Sequence, residues 1–267
     1  MSALAQAAAD GMVVTKRNLI KIKRIPDLLI FSSIQPIMFV LLFAYVFGSA
    51  INVPGVDYKE FLMAGIFTQT VAFGSALTAV GLADDLQKGI IDRFRSLPMA
   101  RSAVLVGRTT SDLLNNVLVV VIMSVCGLLV GWRIREGLLS AVAAYALLLL
   151  FAYAMSWVSA TIGLTVRSVE VAQSAGFIWL FPVTFLSNAF VPSERLPTVL
   201  RVIAEWNPIS AVVASLRDLF GNVAPNVPVG DAFPQQQPVL MSVIWSLLLL
   251  AIFVPLSVRR YRAAATR

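Results

Sequence analysis

At 267 residues the chain is 58% apolar and 13% charged, with a mean hydropathy of +0.84, and it lacks the polar residues that would cover a soluble domain of its size. A formal charge of +7 and a pI of about 10.0 would suit a nucleic-acid binder. The positive residues instead sit in short segments flanking apolar blocks, which makes the lipid bilayer the partner and excludes nucleic acid.

The first element is polar. Residues 3–24 carry Lys16, Arg17, Lys21, Lys23 and Arg24. Wound as a helix, they form a basic side interrupted by Val13 and Ile20, which predicts a helix over residues 1–27 lying on the inner leaflet. Apolar blocks of about 20 residues follow, the length that crosses a bilayer as a helix. They do not alternate as β-barrel strands would. Six spans are predicted: 28–50, kinked at Gln35-Pro36; 61–83; 113–130, with Asn115 and Asn116 near its start; 138–166; 172–190; and 239–258. The fold class is therefore an all-α integral membrane protein, a single domain over 1–267. The distribution of Lys and Arg puts both termini and the loop 84–108 on the cytoplasmic side. Tyr45, Tyr58 and Trp132 fall at the predicted outer interface and Tyr261 at the inner one.

Between the second and third spans stands GIIDRFRSLPMAR, residues 89–101. Wound as a helix over 84–97, Leu86, Ile90, Phe94 and Leu97 form one apolar stripe, while Asp84, Asp85, Lys88, Asp92 and Arg95 spread over the other side. Gly89 allows a bend and Pro98 stops the helix. Its mixed charge suits a protein groove better than an anionic leaflet. Between the fifth and sixth spans, residues 191–221 contain two apolar-periodic runs split by Asn207-Pro208, each too short to cross and suited to a re-entrant or interfacial helix. A Pro- and Gln-rich outer loop, with no helical pattern, completes the segment 191–236.

No charged residue lies in the middle of any predicted span, which argues against an ion-driven transporter. Catalytic and metal motifs are absent, and none of the five lysines follows a glycine as a phosphate-binding loop requires. The chain is therefore expected to carry no catalytic residue, no metal and no cofactor. Energy for uphill movement would have to come from another polypeptide.

KGIIDRFRSLPMARSAVLVGR resembles the cytoplasmic loop of type-2 ABC exporter permeases, specifically the daunorubicin-resistance-like drug and lipid exporters. RIPDLLIFSSIQPIMFVLLFAYVFG is similar to that family's first span, and FPVTFLSNAFVPSERLPTVLRVIAEWNPISAVVASLR to its fifth span and outer helices. The resemblance covers nearly all of residues 15–262. In one departure, Gln87 stands where the family would have an acidic residue, with Asp84 and Asp85 a turn earlier.

The resemblance implies a dimer of six-span permeases, either two copies or two related chains, each resting on a separate cytoplasmic ABC ATPase that holds ATP and Mg. Residues 90–98 match the coupling helix that enters a cleft on the ATPase, which makes Lys88, Gly89, Ile90, Ile91, Asp92, Arg93, Phe94, Arg95, Ser96, Leu97 and Pro98 candidate coupling residues. Arg167 and Glu170 match a second, smaller contact. The resemblance also implies that spans two and five line a path, closed outside by residues 191–220 around Pro192, Trp206, Asn207 and Pro208. Those spans offer neutral and aromatic groups, so Thr68, Gln69, Phe73, Phe177, Phe181, Phe185 and Asn188 are the candidate lining. Such a lining suits a hydrophobic or amphiphilic compound, drug-like or lipid-like, entering from the inner leaflet of the cell membrane. The expected function is the permease subunit of an ATP-driven exporter. The alternatives are a permease exporting a lipid-linked saccharide or polymer, and a passive channel or membrane scaffold without an ATPase.

Overall fold

The structure, a computed structural model, describes residues 26–47, 55–91, 103–190, 193, 196–223 and 232–264, together with Val13, Thr15, Lys16 and Ile20. Every regular element among the described residues is helical. Helix α1 (Pro26–Leu41) runs on into a π-helical segment (Leu42–Phe47), followed by α2 (Tyr58–Gly74), α3 (Ala76–Gln87) and α4 (Ala103–Val130). Then come α5 (Leu138–Gly163), α6 (Val169–Phe185), α7 (Thr198–Glu205), α8 (Pro208–Phe220), the short α9 (Phe233–Gln236) and α10 (Pro238–Ala264).

Four stretches are long and apolar enough to cross a membrane: Tyr58–Gln87, Ala103–Val130, Leu138–Gly163 and Pro238–Ala263. The pair α7–α8, bent by 68°, makes a fifth if it is one span. The predicted first and fifth spans are present as shorter apolar helices, Ile34–Val46 and Val169–Phe185. In the first, Pro36 lies inside α1 and the helix then widens into the π-helical segment. In the fifth, Pro182 lies inside α6 and the helix stops at Phe185, so the last residues of the predicted 172–190 span leave the helix.

Local chemistry sets the other boundaries. Asp57 caps α2 by accepting from the Lys59 N–H (2.9 Å), and Ser168 caps α6 by accepting from the Val171 N–H (3.3 Å). Pro208 opens α8, and Gly221 ends it with a left-handed φ of 71°. The break between α2 and α3 falls at Ser75. Its hydroxyl bonds the Ala72 carbonyl (2.6 Å) and lies 3.0 Å from that of Ser159.

Helix α5 is the hub of the bundle, with α10, α3, α8 and α4 all packed on it. One end of the bundle is built on Trp132, Phe67 and Phe220, the other on Leu82, Ile91, Leu105, Trp157 and Tyr261. They are the Trp132 end and the Ile91 end of the bundle.

Several expectations need correction. The third span does not begin at 113. Its helix starts at Ala103, so Arg108 and Asp112 lie inside it and Asn116 is mid-helix and buried. The continuous helix over 84–97 is broken: α3 ends at Gln87, Gly89 takes φ 63°, and a new helical turn begins at Ile90. The stripe from Leu86 to Ile90 therefore does not exist as one face. Among the predicted belt residues only Tyr45 is exposed; Tyr58, Trp132 and Tyr261 are buried in the protein. Trp132 meets Phe67 and Phe220 edge to face and donates its indole N–H to Asn222 Oδ1 (2.8 Å). The segment read as a plain outer loop contains α9. Of the predicted leaflet helix only Val13, Thr15, Lys16 and Ile20 are described, and Thr15 is buried, its hydroxyl donating to the Gly107 carbonyl (3.2 Å).

Candidate functional site

At the Ile91 end, two of the predicted coupling segments meet. The Gln87 side-chain amide reaches the Arg167 carbonyl at 3.4 Å, which places the position where an acidic residue was expected against the loop between α5 and α6. Lys88 is exposed and pairs with Asp84 (2.8 Å), while Ile91 is buried against Leu82, Val104 and Leu105. Arg167 and Glu170 are exposed. The backbone N–H of Glu170 and the Ser168 hydroxyl hold the Glu170 carboxyl below the usual carboxylate range. Asp92, Arg93, Phe94, Arg95, Ser96, Leu97 and Pro98 lie outside the described residues.

Just inside that end, α3 and α4 are joined by charge. Thr78 donates to Asp112 Oδ2 at 2.7 Å, Arg108 Nε donates to the same oxygen at 3.1 Å, and the Arg108 guanidinium donates to the Leu77 carbonyl at 3.0 Å.

In the middle of the bundle, four of the seven predicted lining residues touch. Phe177, Phe181 and Phe185 follow one another along α6, with ring centroids 6.0 and 5.9 Å apart. Phe73 of α2 lies 5.8 Å from Phe177 and 5.1 Å from Phe181. The row does not stop there. Phe185 meets Phe190 (5.7 Å), Phe190 meets Phe43 (4.9 Å), and Phe43 stacks on Phe39 (5.8 Å). Seven phenyl rings from α1, the π-helical segment, α2, α6 and the turn after it thus form one ladder, with Phe181 and Phe185 45% and 53% exposed. Aromatic contacts of this kind contribute about 0.5–1.5 kcal/mol each beyond area burial. Thr68 is buried, its hydroxyl spent on the Ala64 carbonyl (2.9 Å), and Gln69 is buried one turn from Phe73. The Asn188 side-chain oxygen is buried without a hydrogen-bond partner among the described residues. The opposite face of α6 is different: Trp179 and Val183 line a cavity of ≈350 Å³ shared with α5, α8 and α10.

The predicted gate residues sit at the 68° bend that opens α8, whose far end, at Phe220, reaches the Trp132 end. Trp206 is half exposed, Asn207 buried and Pro208 the first residue of α8. Asn207 accepts from the Ile209 N–H (2.8 Å) and donates to the carbonyls of Val183 (2.6 Å) and Leu186 (3.1 Å). Ser210 accepts from the Asn188 N–H (3.0 Å). Arg217, buried in α8, donates to the carbonyls of Phe61 (3.0 Å), Asn188 (2.9 Å) and Ala189 (3.2 Å), its guanidinium 3.4 Å from the centre of the Phe61 ring. Glu60 holds both Nε and a terminal nitrogen of Arg135 (2.7–3.1 Å), and that hydrogen-bonded pairing raises the Arg135 pKa. Pro192 lies outside the described residues.

The ABC-2 type transporter family model matches residues 11–220, a match that takes in the loop, the ladder and the bent pair. The chain belongs to that family. It is 32% identical over 260 residues to the daunorubicin resistance ABC transporter permease protein DrrB1 of Streptomyces coeruleorubidus, covering 97% of this chain and 88% of the relative. It is 22% identical over 260 residues to the probable doxorubicin resistance ABC transporter permease protein DrrC of Mycobacterium tuberculosis (strain ATCC 25618 / H37Rv), covering 97% and 90%. A putative transport permease, ycf38, of Cyanophora paradoxa is 24% identical over 214 residues, covering 79% and 73%. The protein is the membrane permease subunit of an ABC exporter.

The permease's polar frame lies outside the predicted spans. Arg217 falls in the predicted outer segment 191–236, Arg108 in the predicted loop 84–108, and Asp112 between that loop and the span predicted from 113, because each sits beyond the apolar block that marks a span. Phe39 and Phe43 stand four apart, a visible helical spacing, but only the fold brings Phe190 between them and α6.

Proposed function

We propose that this permease forms a dimer of six-span halves in the cell membrane, with both termini inside, and that a separate cytoplasmic ATPase powers export of a hydrophobic or amphiphilic compound. In this arrangement α1 and α6, short as they are, each cross the bilayer. Residues 88–98 enter a cleft on the ATPase, and Arg167 with Glu170 makes a second contact. The meeting of Gln87 with the Arg167 loop supports the two acting together. Residues 191–220 close the outer side.

The phenylalanine ladder carries the proposal about substrate. It presents an apolar, partly exposed face shared by α2 and α6, and no carboxylate is among its rings. Burial against it is worth ~25 cal/mol per Å² of apolar ligand surface, whereas a fixed charge on the ligand finds no counter-ion there. The drug resistance named for two relatives agrees with such a substrate. The deciding experiment is ATP-dependent uptake of doxorubicin, and of less and more apolar analogues, into inside-out vesicles holding the permease with its ATPase. Apparent affinity rises with apolar substitution, and Phe181→Ala weakens it more than Asn188→Ala. Transport indifferent to Phe177, Phe181 and Phe185 substitutions would sink this assignment of the path. Cysteines at Ser102 and Gln236, in a Cys126-free background, label from opposite faces of sealed vesicles; labelling from one face rules out the topology.

A further inference from the structure

The loop proposed to receive the ATPase stroke hangs between two feet, the end of α3 at Gln87 and the start of α4 at Ala103. A push on a loop moves two helices together only if they are fastened to each other. Beside the apolar contact of Leu82 with Leu105 near the feet, the fastening between these helices is polar. Thr78, fully buried, donates to Asp112 Oδ2 (2.7 Å), and Arg108 Nε donates to the same oxygen (3.1 Å). The guanidinium of Arg108 reaches across to α3 and donates to the Leu77 carbonyl (3.0 Å). The Arg108 and Asp112 side chains are only 17% and 15% exposed.

The shape of α3 is cut for this contact. A Cβ at Gly81 would run into the Arg108 guanidinium, so the group lies directly on the helix surface and a side chain there would displace it. The arrangement sits about one and a half turns from each foot, since Gly81 precedes Gln87 by six residues and Arg108 follows Ala103 by five. Lysine could not replace this arginine. Its planar fork holds a carboxylate through Nε and a carbonyl of the neighbouring helix through a terminal nitrogen, a span that a single ammonium nitrogen does not match.

We infer that Arg108 and Asp112, with Thr78, are positioning residues for coupling: they clamp α3 to α4, so that a displacement of the loop moves both as one lever. The inference rests on the coupling role proposed above for residues 88–98. Without the clamp the stroke is absorbed by separation of the feet, and ATP is hydrolysed with less transport.

The test has two arms. In the first, spin labels at Leu77 and Leu114, both exposed, report the α3–α4 distance in the Cys126-free permease, alone and with its ATPase. The wild-type distribution is narrow and unchanged between nucleotide-free and nucleotide-trapped states. It broadens in Asp112→Asn and in Arg108→Lys, and Asp112→Glu restores it in part. A narrow distribution in Asp112→Asn, or a wild-type distance that shifts with nucleotide, overturns the clamp whether or not any ATPase binds. In the second arm, the assembled complex in vesicles is assayed for doxorubicin moved per ATP hydrolysed. Asp112→Asn co-purifies with the ATPase as wild type does, yet the ratio falls roughly two- to thirty-fold. An unchanged ratio beside a broadened distance overturns the lever. Failure of the wild-type chain to co-purify with any ATPase removes the coupling proposal itself and leaves the distance result to stand on its own.

Discussion

Helices α7 and α8 are neighbours of similar apolar content separated by two residues, and the fold treats them in opposite ways. In α8, Ile209, Val212, Val213, Leu216 and Phe220 are all fully buried, and its cap and buried polar residues are committed: Asn207 to the end of α6, Ser210 to Asn188, Ser215 to Ser242 (2.7 Å) and Arg217 to three carbonyls. In α7 only Ala204 is buried, while Val199, Val202 and Ile203 are 73%, 51% and 47% exposed. The difference lies in where the apolar residues stand. Those of α7 gather on one face, which suits a helix lying on a surface. Those of α8 surround the helix, which suits burial. In the proposed outer gate, α8 is therefore the half packed into the bundle and α7 the half that leaves its apolar face exposed.

The largest test of this contrast is Arg217→Gln, measured by thermal unfolding in detergent. Three buried carbonyls lose a charged donor, and the expected loss is about 3 kcal/mol or more. Arg217→Lys recovers only part of it, because an ammonium lacks the fork. A loss below about 1 kcal/mol would mean that α8 is held by packing alone.

Next comes Asn207→Ala, which removes a helix cap and two bonds to the end of α6 for about 2 kcal/mol. Gly65→Ala is expected to cost about 1–3 kcal/mol by overpacking. The new methyl would come within contact of the Ala189 carbonyl, a backbone atom held in turn by Arg217. Unfolding measured for both variants checks these values; an unperturbed Gly65→Ala would show that the turn after α6 can yield.

Phe181→Ala gives up three ring contacts, but its half-exposed ring leaves no closed cavity, and about 1–2 kcal/mol is expected. Its effect falls on transport too, so unfolding and doxorubicin uptake measured on the same preparation separate the two roles. Val202→Ala and Ile203→Ala on α7 are expected to shift stability by no more than about 0.5 kcal/mol. A cost matching that of Asn207→Ala would place α7 against a packed surface and erase the contrast.

Much of this was legible in the residues. The split at Asn207-Pro208 was visible because proline starts a helix and asparagine caps one. Phe177, Phe181 and Phe185 stand four apart in an apolar span, a spacing that puts their rings on one face, and the charged segment 89–101 stands out in an apolar chain. Other features were not. The helical stripe drawn from Leu86 to Ile90 failed because Gly89 adopts a left-handed conformation there, which periodicity does not reveal. Trp132 passed for an interfacial residue because its position beside a span is the same whether it faces lipid or Asn222.

The sequence by itself determined that the chain is helical and membrane-bound, and roughly where its helices lie. Long apolar blocks leave the backbone no partner in a bilayer except itself, so the helix is forced locally. Only the tertiary structure decided which side of each helix meets protein, that Arg108 finds Asp112 and Leu77, that Arg217 finds the carbonyls of Phe61, Asn188 and Ala189, and that Phe190 joins two aromatic rows. Lipid tails are as apolar as a protein core, so hydrophobic patterning does not distinguish a lipid-facing side chain from a packed one. The choice is made by shape and by the few polar groups that must find one another across the bundle.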